Sequence, residues 1–403
     1  MKRILMPAVV VYLLSAASTF AVLSMISGEG GPLINPAEIQ QSEVPKADTT
    51  ARLSIAPEAP RTEECPLNGK KYTTVEKDSW DGRRPLAVMI ENHVESRPQS
   101  GLSAADVVYE VVVEGGITRF MPIYYCEAQS HDTILSPVRS ARQFFLDMAS
   151  EYKLPLYAHV GGSNGEDTDP RVRALEHIGD YGWGLRNDLN QFSIGYPTFV
   201  RNYNRIPGRD DIATEHTMET STERLWKYAS EKRKLTNLGP ETKVKGKVVP
   251  GTDWREKFVK WAFQDDAAQN ARGTVSTVSY EFWSGYSDFV VQWSYDSASN
   301  SYKRSMAGSA HVDLNNNKQV EAKNVVVLQM KEYPSVDIHK HNYIVTSGTG
   351  KAWVFQNGKA VEGSWSKKDR ESRLTVTAGG RPVQFVRGMI WISIVNGEST
   401  PEF

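Results

Sequence analysis

Ile4 to Gly28 is an unbroken uncharged run, preceded by Lys2 and Arg3 and ended by Glu29, and no other feature limits so strongly what the chain can become. At ~1.5 Å per residue in a helix, such a run can cross a hydrocarbon core. Positive charges ahead of it favour an N-terminus kept in the cytoplasm and export of everything behind it. The competing reading is a cleavable signal peptide, for which Ser15-Ala16-Ala17-Ser18 offers small residues. The apolar run continues past them through Phe20, Val22, Leu23 and Ile26, which favours an uncleaved anchor. A core helix would need an amphipathic face that the run lacks. No cysteine lies near it to carry a lipid. The expectation is a single-pass transmembrane anchor over residues 1–27 in the cell membrane, with the body on the extracytoplasmic side. Residues 28–64 are rich in Pro, Ala, Ser, Thr and Glu and cannot bury enough apolar surface to offset ordering, so they read as a disordered tether.

The body is long enough for two domains, and its texture changes midway. Residues 65–235 alternate strand and helix signals: Leu86–Ile90, Asp106–Val113, Ile117–Tyr125 and Leu156–Val160 read as strands. Helices are expected from Ser136-Pro137 to about Tyr152, from Asp169-Pro170 to about Ile178, and through Lys232 behind a Thr220/Glu223 capping box. Residues 251–403 carry short β-rich runs separated by turns such as Asn357-Gly358 and Gly379-Gly380, and most of the ten tryptophans. The expected fold class is α+β: an N-terminal mixed α/β domain with a Gly-Gly hairpin, then a mostly antiparallel β-rich C-terminal domain. With 47 Lys+Arg against 48 Asp+Glu the net charge is −1, no footprint for nucleic acid.

The hairpin holds the most informative charges. If Gly115-Gly116 is a two-residue turn, Glu114 opposes Ile117, Val112 opposes Arg119, and Glu110 opposes Met121. Glu110, Glu114 and Arg119 then share one face. Two readings stay open: a poised acid or an acidic pair holding ligand hydroxyls, or a structural Glu–Arg–Glu cluster. Arg139 and Arg142, i,i+3 neighbours in the first turns of the expected helix, fit an anion or the hairpin glutamates. His159, before the Gly161-Gly162-Ser163-Asn164-Gly165 loop, is a candidate base or a satisfied core histidine. The loop lacks the Gly-Lys-Ser/Thr of a P-loop. Asp313, Asn315 and Asn317 read as a polar hairpin turn and His339/His341 as an exposed loop, so neither metal nor cofactor is expected. Cys65 and Cys126, exported together and bracketing one structural unit, are expected to pair.

Several stretches resemble a known family: Arg84-Pro-Leu-Ala-Val-Met-Ile-Glu-Asn92, Arg97-Pro-Gln-Ser-Gly-Leu102, Ala105-Asp-Val-Val-Tyr-Glu110, Glu114-Gly-Gly-Ile-Thr-Arg-Phe120, Pro137-Val-Arg-Ser-Ala-Arg142 and His159-Val-Gly-Gly-Ser163. In the second half, His311-Val-Asp313, Gly350-Lys-Ala-Trp-Val-Phe355 and Gly388-Met-Ile-Trp391 continue it. The pattern closely resembles the YerB-like family of bacterial extracytoplasmic lipoproteins of unknown function, over about residues 80–400. The resemblance implies an exported two-domain protein and adds Asn92, Arg97, Ser163 and His216 to the candidate ligand-binding residues. The chain departs from the family where a lipidated cysteine would stand, and around His216, where only the histidine and Thr220-Ser221 match.

Two functions are compatible with these signals. One is a non-catalytic module binding cell-wall glycan or an envelope protein partner. The other is a wall-directed hydrolase or transferase with Glu110 or Glu114 as acid/base and the arginines clamping an anion. An open cleft holding Glu110, Glu114, His159 and both arginines would favour the enzyme; buried, fully paired glutamates would favour the binder.

Overall fold

The computed structural model describes residues 53–403. The expected anchor, residues 1–27, and the expected tether up to residue 52 lie outside the described residues. Among those described, no helix is long and apolar enough to cross a membrane. Strand pairing begins within the last part of the expected tether, where Glu63–Glu64 pairs antiparallel with Lys71–Tyr72.

The architecture is α+β. Among the described residues the largest sheet has twelve strands. The first half of the sequence supplies β1 (Leu86–Val88), β2 (Ile90–Glu91), β3 (Val107–Val112), β4 (Thr118–Tyr124), β5 (Leu156–His159) and β6 (Asp188–Asn190). The second half supplies β7 (Asn324–Gln329), β8 (Gly348–Gln356), β9 (Lys359–Lys367), β10 (Thr375–Ala378), β11 (Arg381–Pro382) and β12 (Ile390–Val395). Their order is β11-β10-β9-β8-β7-β12-β3-β4-β1-β5-β6, with β2 also paired to β4. The last strand, β12, lies parallel to both β3 and β7 and joins the two halves. Segments 65–235 and 251–403 therefore share the twelve-stranded sheet, besides the smaller sheets that each forms alone.

β3 is an almost continuous β-branched run because both faces of the sheet are covered. Val107, Tyr109 and Val111 enter one apolar cluster, Val108 and Val112 the other. The first cluster packs under α1 (Thr74–Asp81), α2 (Gln143–Ala149) and α3 (Ala174–Asp180). The second packs under a five-stranded sheet that includes Thr277–Tyr280, Val291–Asp296 and Ser301–Met306, and under α4 (Thr222–Lys232).

Local expectations are corrected in three places. Glu114–Gly116 is a one-turn 3-10 loop, and Val113 N–H donates to Ile117 O at 2.7 Å, so three residues rather than two connect the strands. Glu110 therefore opposes Phe120, and Val111 opposes Arg119. A one-residue slip turns every side chain over, so Glu110 and Arg119 face opposite sides of the sheet. Second, α2 begins at Gln143, not Pro137. Residues 138–141 are extended: Arg139 N–H donates to Met89 O and its carbonyl accepts from Val160 N–H, both at 2.9–3.0 Å. Arg139 and Arg142 are thus not neighbours on a helix. Third, the cap of α4 is Ser221, whose side chain accepts from Arg224 N–H, one residue after the expected Thr220.

Candidate functional site

The structure commits each residue expected to bind or react to an internal partner. Glu110 has no exposed surface. Arg304, also fully buried, donates through Nη2 to both of its carboxylate oxygens at 2.9 Å, and Trp391 Nε1–H donates at 3.0 Å. A closed ring of hydrogen bonds runs through this pair. Arg304 Nη1 donates to His311 Nδ1 at 2.6 Å, and His311 Nε2–H donates to Gln99 Oε1 at 2.9 Å. Gln99 Nε2 donates to Asn92 Oδ1 at 2.9 Å and Asn92 Nδ2 to Thr118 Oγ1 at 2.6 Å. Thr118 Oγ1 closes the ring on Glu110 at 3.0 Å. Arginine is donor-only, so Nδ1 of His311 must accept and the ring is neutral. Burial, with Arg304 and Arg97 nearby, pushes its pKa well below the ordinary histidine value. Arg97 borders the ring, donating to Asn92 Oδ1 at 3.2 Å.

The remaining candidates form a second group across the sheet. Arg142 clamps Glu114 with Nε and Nη2, and His341 Nε2 stands 3.7 Å from the same carboxylate. His341 itself is buried and held by Asp337 at 2.8 Å rather than lying in an exposed loop. Arg139 pairs with Glu91 at 3.0 Å, and His216 Nδ1 contacts the other oxygen of Glu91 at 2.7 Å. Arg119 donates to Ser140 O at 2.8 Å. Burial and the nearby Arg142 lower its pKa to about 9. His159 bridges Asp188 at 2.6 Å and Gly161 O at 2.7 Å, and Ser163 donates to Val172 O and accepts from Ala174 N–H. Glu110, Glu114, His159, Arg139 and Arg142 do not share a cleft.

The Glu114–Arg142 pair sets an acid limit on stability. Burial pushes the Glu114 carboxyl up, but Arg142 and Arg119 outweigh it and hold its pKa at about 2, against 4.5 ordinarily. A depressed carboxylate stabilises the fold fully above its unfolded value, and that contribution fades as pH falls from about 4.5 towards 2. Glu114→Gln is expected to cost ~2–3 kcal/mol at pH 7 and almost nothing near pH 2, measured as urea midpoints along a pH series.

An open cleft of about 810 Å³ lies elsewhere, lined by Trp283, Tyr286, Lys331, Glu332, Lys351 and Asn396, among others. Trp283 is the one tryptophan among the described residues that is not buried. It lies 5.6 Å from Tyr286 at 73°, and its Nε1–H donates to both oxygens of Glu332 at 3.1 Å. Burial pushes the Glu332 carboxyl up to about 7, against the opposing hydrogen bond from Trp283. The Tyr286 ring is seated on Gly116: an added Cβ would meet it at 2.3 Å, and φ of +77° strains any L side chain. The Gly-Gly loop thus supports a wall of this cleft. Trp density alone marked the region in the sequence; separating Trp283 from core rings such as Trp293 and Trp391 required the fold.

Comparison with known proteins agrees with this organisation. Family models described as the N-terminal and C-terminal domains of a protein of unknown function, DUF3048, match residues 72–236 and 278–392. A Bacillus subtilis (strain 168) protein named "Putative lipoprotein YerB" is 28% identical over 339 residues, 84% of this chain and 88% of that protein. The crystal structure of YerB protein from Bacillus subtilis superposes with a TM-score of 0.64 at 26% identity, covering 85% of this chain and 100% of that one. With both halves of its shared sheet matched, the chain belongs to the two-domain, YerB-like DUF3048 family.

Proposed function

We propose that this is a membrane-anchored envelope protein on the extracytoplasmic face that binds cell-wall glycan in the Trp283–Tyr286 cleft. The cleft itself carries the reading: a half-exposed aromatic pair beside a carboxyl and two lysines suits sugar rings with hydroxyl and acidic substituents. Location is supported by the uncharged N-terminal run, by the lipoprotein name of the Bacillus relative, and by the Cys65–Cys126 disulfide, a bond that persists in oxidising compartments. A hydrolase or transferase working through Glu110 is disfavoured, because a carboxylate without exposed surface cannot reach a glycosidic oxygen.

The test is co-sedimentation of the full-length chain with purified sacculi, with released fragments assayed in the same samples. Trp283→Ala with Tyr286→Ala is expected to weaken binding about tenfold or more. Glycan hydroxyls donate best to ionised Glu332, so binding should strengthen severalfold as pH rises through about 7. Glu332→Gln should flatten that profile. Undiminished binding by the aromatic double variant would refute the cleft, and release of soluble glycan would replace a binding module with an enzyme.

A further inference from the structure

We infer a divalent transition-metal site, of the zinc class, formed by His93, Glu95 and His216. Among the described residues these three bring donor atoms within 4.8 Å of one another. They come from two separate segments: a 3-10 turn over Val94–Ser96, capped by His93, and the turn Thr214–His216. No spacing motif links them, which is why the sequence pattern gave no metal site. His216 Nε2 and Glu95 Oε2 are 3.6 Å apart. Two ligands on one tetrahedral zinc stand roughly 3.3–3.6 Å apart, so this pair is already at the required separation. The His93 ring is stacked on that of His216, with centroids 5.0 Å apart and planes 12° from parallel. Its Nδ1 accepts from Glu95 N–H at 3.3 Å, so Nε2 is the nitrogen left to ligate, and the half-exposed ring must turn out of the stack to bring it onto the same ion.

The surroundings are those of a metal-binding histidine. Glu91, buried in β2, holds His216 Nδ1 at 2.7 Å, which orients the ring with Nε2 outward. A carboxylate behind a ligating imidazole fixes its tautomer and raises its basicity. Arg139 in turn holds Glu91 at 3.0 Å. The other nearby cations are occupied: Arg209 is paired with Asp211 at 2.8 Å, and Arg205 donates to the carbonyls of His216 and Pro98. Two imidazoles and one carboxylate exclude calcium and magnesium as preferred ions. They leave a fourth position open to water or to a ligand, because Glu95 is exposed. The other cluster of this kind, Cys65, Asp106 and Cys126, has its sulfurs engaged in a disulfide.

The test uses the untagged full-length chain in detergent, stripped with chelator, then titrated calorimetrically with Zn²⁺ and spectroscopically with Co²⁺. One ion per chain is expected, with the visible Co²⁺ absorption of a four- or five-coordinate site. His93→Ala and His216→Ala should abolish it, and Glu95→Gln should weaken it. Glu91→Gln, which removes no ligand, should lower affinity about tenfold or more. His93 lies at the surface, so its variant keeps the test sound if replacing buried His216 impairs folding. Absence of stoichiometric binding would overturn the proposal. So would binding that survives His93→Ala, or that is lost instead in a His339→Ala, His341→Ala variant.

Discussion

Glu110→Ala should be the most damaging single substitution in the body of this protein. It strands the Arg304 guanidinium in an interior where neither group has exposed surface. Breaking a buried pair by removing one partner costs ~3–5 kcal/mol, because the remaining charge loses its compensation. A domain's whole stability is only ~5–15 kcal/mol. The ring through His311, Gln99, Asn92 and Thr118 loses an acceptor at the same moment, so the effect reaches beyond one pair. It also reaches across the sequence. Glu110 lies on β3 and Arg304 on the strand Ser301–Met306 of the covering sheet, 194 residues away. The urea midpoint should fall sharply. Glu110→Leu combined with Arg304→Met should recover much of the loss, since apolar replacement of both partners removes the uncompensated charge. If the single variant matched the parent midpoint within ~0.5 kcal/mol, Glu110 would not be structural and its buried pairing would need another explanation.

The elements of this fold were mostly readable from local pattern, and the connections between them were not. The β-branched density of Val107–Val112 and Thr118–Tyr124 announced two strands. The Asn357-Gly358 turn between β8 and β9 takes positive φ at both residues, as its composition implies. Register failed because it depends on one hydrogen bond. Whether Gly115-Gly116 closes a two-residue or a three-residue loop is decided by Val113 N–H reaching Ile117 O, and both loops suit two glycines. That single residue moved Arg119 away from Glu110 and handed Glu110 to Arg304.

The start of α2 was hidden for a different reason. Pro137 suits a first helical turn, but the backbone of residues 138–141 finds partners on Met89, Val160 and Gly161, and tertiary pairing overrode local preference. β12 shows the same limit at larger scale. Its apolar run identifies a strand, yet nothing in it says that the strand will insert between β3 and β7 and unite the halves. The cleft depended on this assembly as well, since Tyr286 and the Gly116 loop it rests on are far apart in the chain.

Removing the disulfide should produce the other large effect. Cys65 and Cys126 are bonded with Cα atoms 6.0 Å apart, at a sequence separation of 61. Cross-linking a loop of that length restricts the unfolded chain by ~4 kcal/mol on loop-entropy reasoning. The bond joins the entry of the described chain to the end of β4, where Tyr125 and Cys126 N–H groups both donate to buried Asp106 at 2.7 and 2.9 Å. The same carboxylate accepts from Asn68 Nδ2 at 2.6 Å, so hydrogen bonds already hold the two segments together without the sulfur link. Cys65→Ser with Cys126→Ser should therefore still fold, with its urea midpoint lowered by an amount equivalent to about 4 kcal/mol. Reductant should lower the parent to the same level and leave the double variant unmoved. Parent and variant unfolding together in the absence of reductant would show that the bond contributes nothing. Two titratable thiols in protein isolated from cells under non-reducing conditions would go further, because a chain whose cysteines stay reduced has not resided in an oxidising compartment.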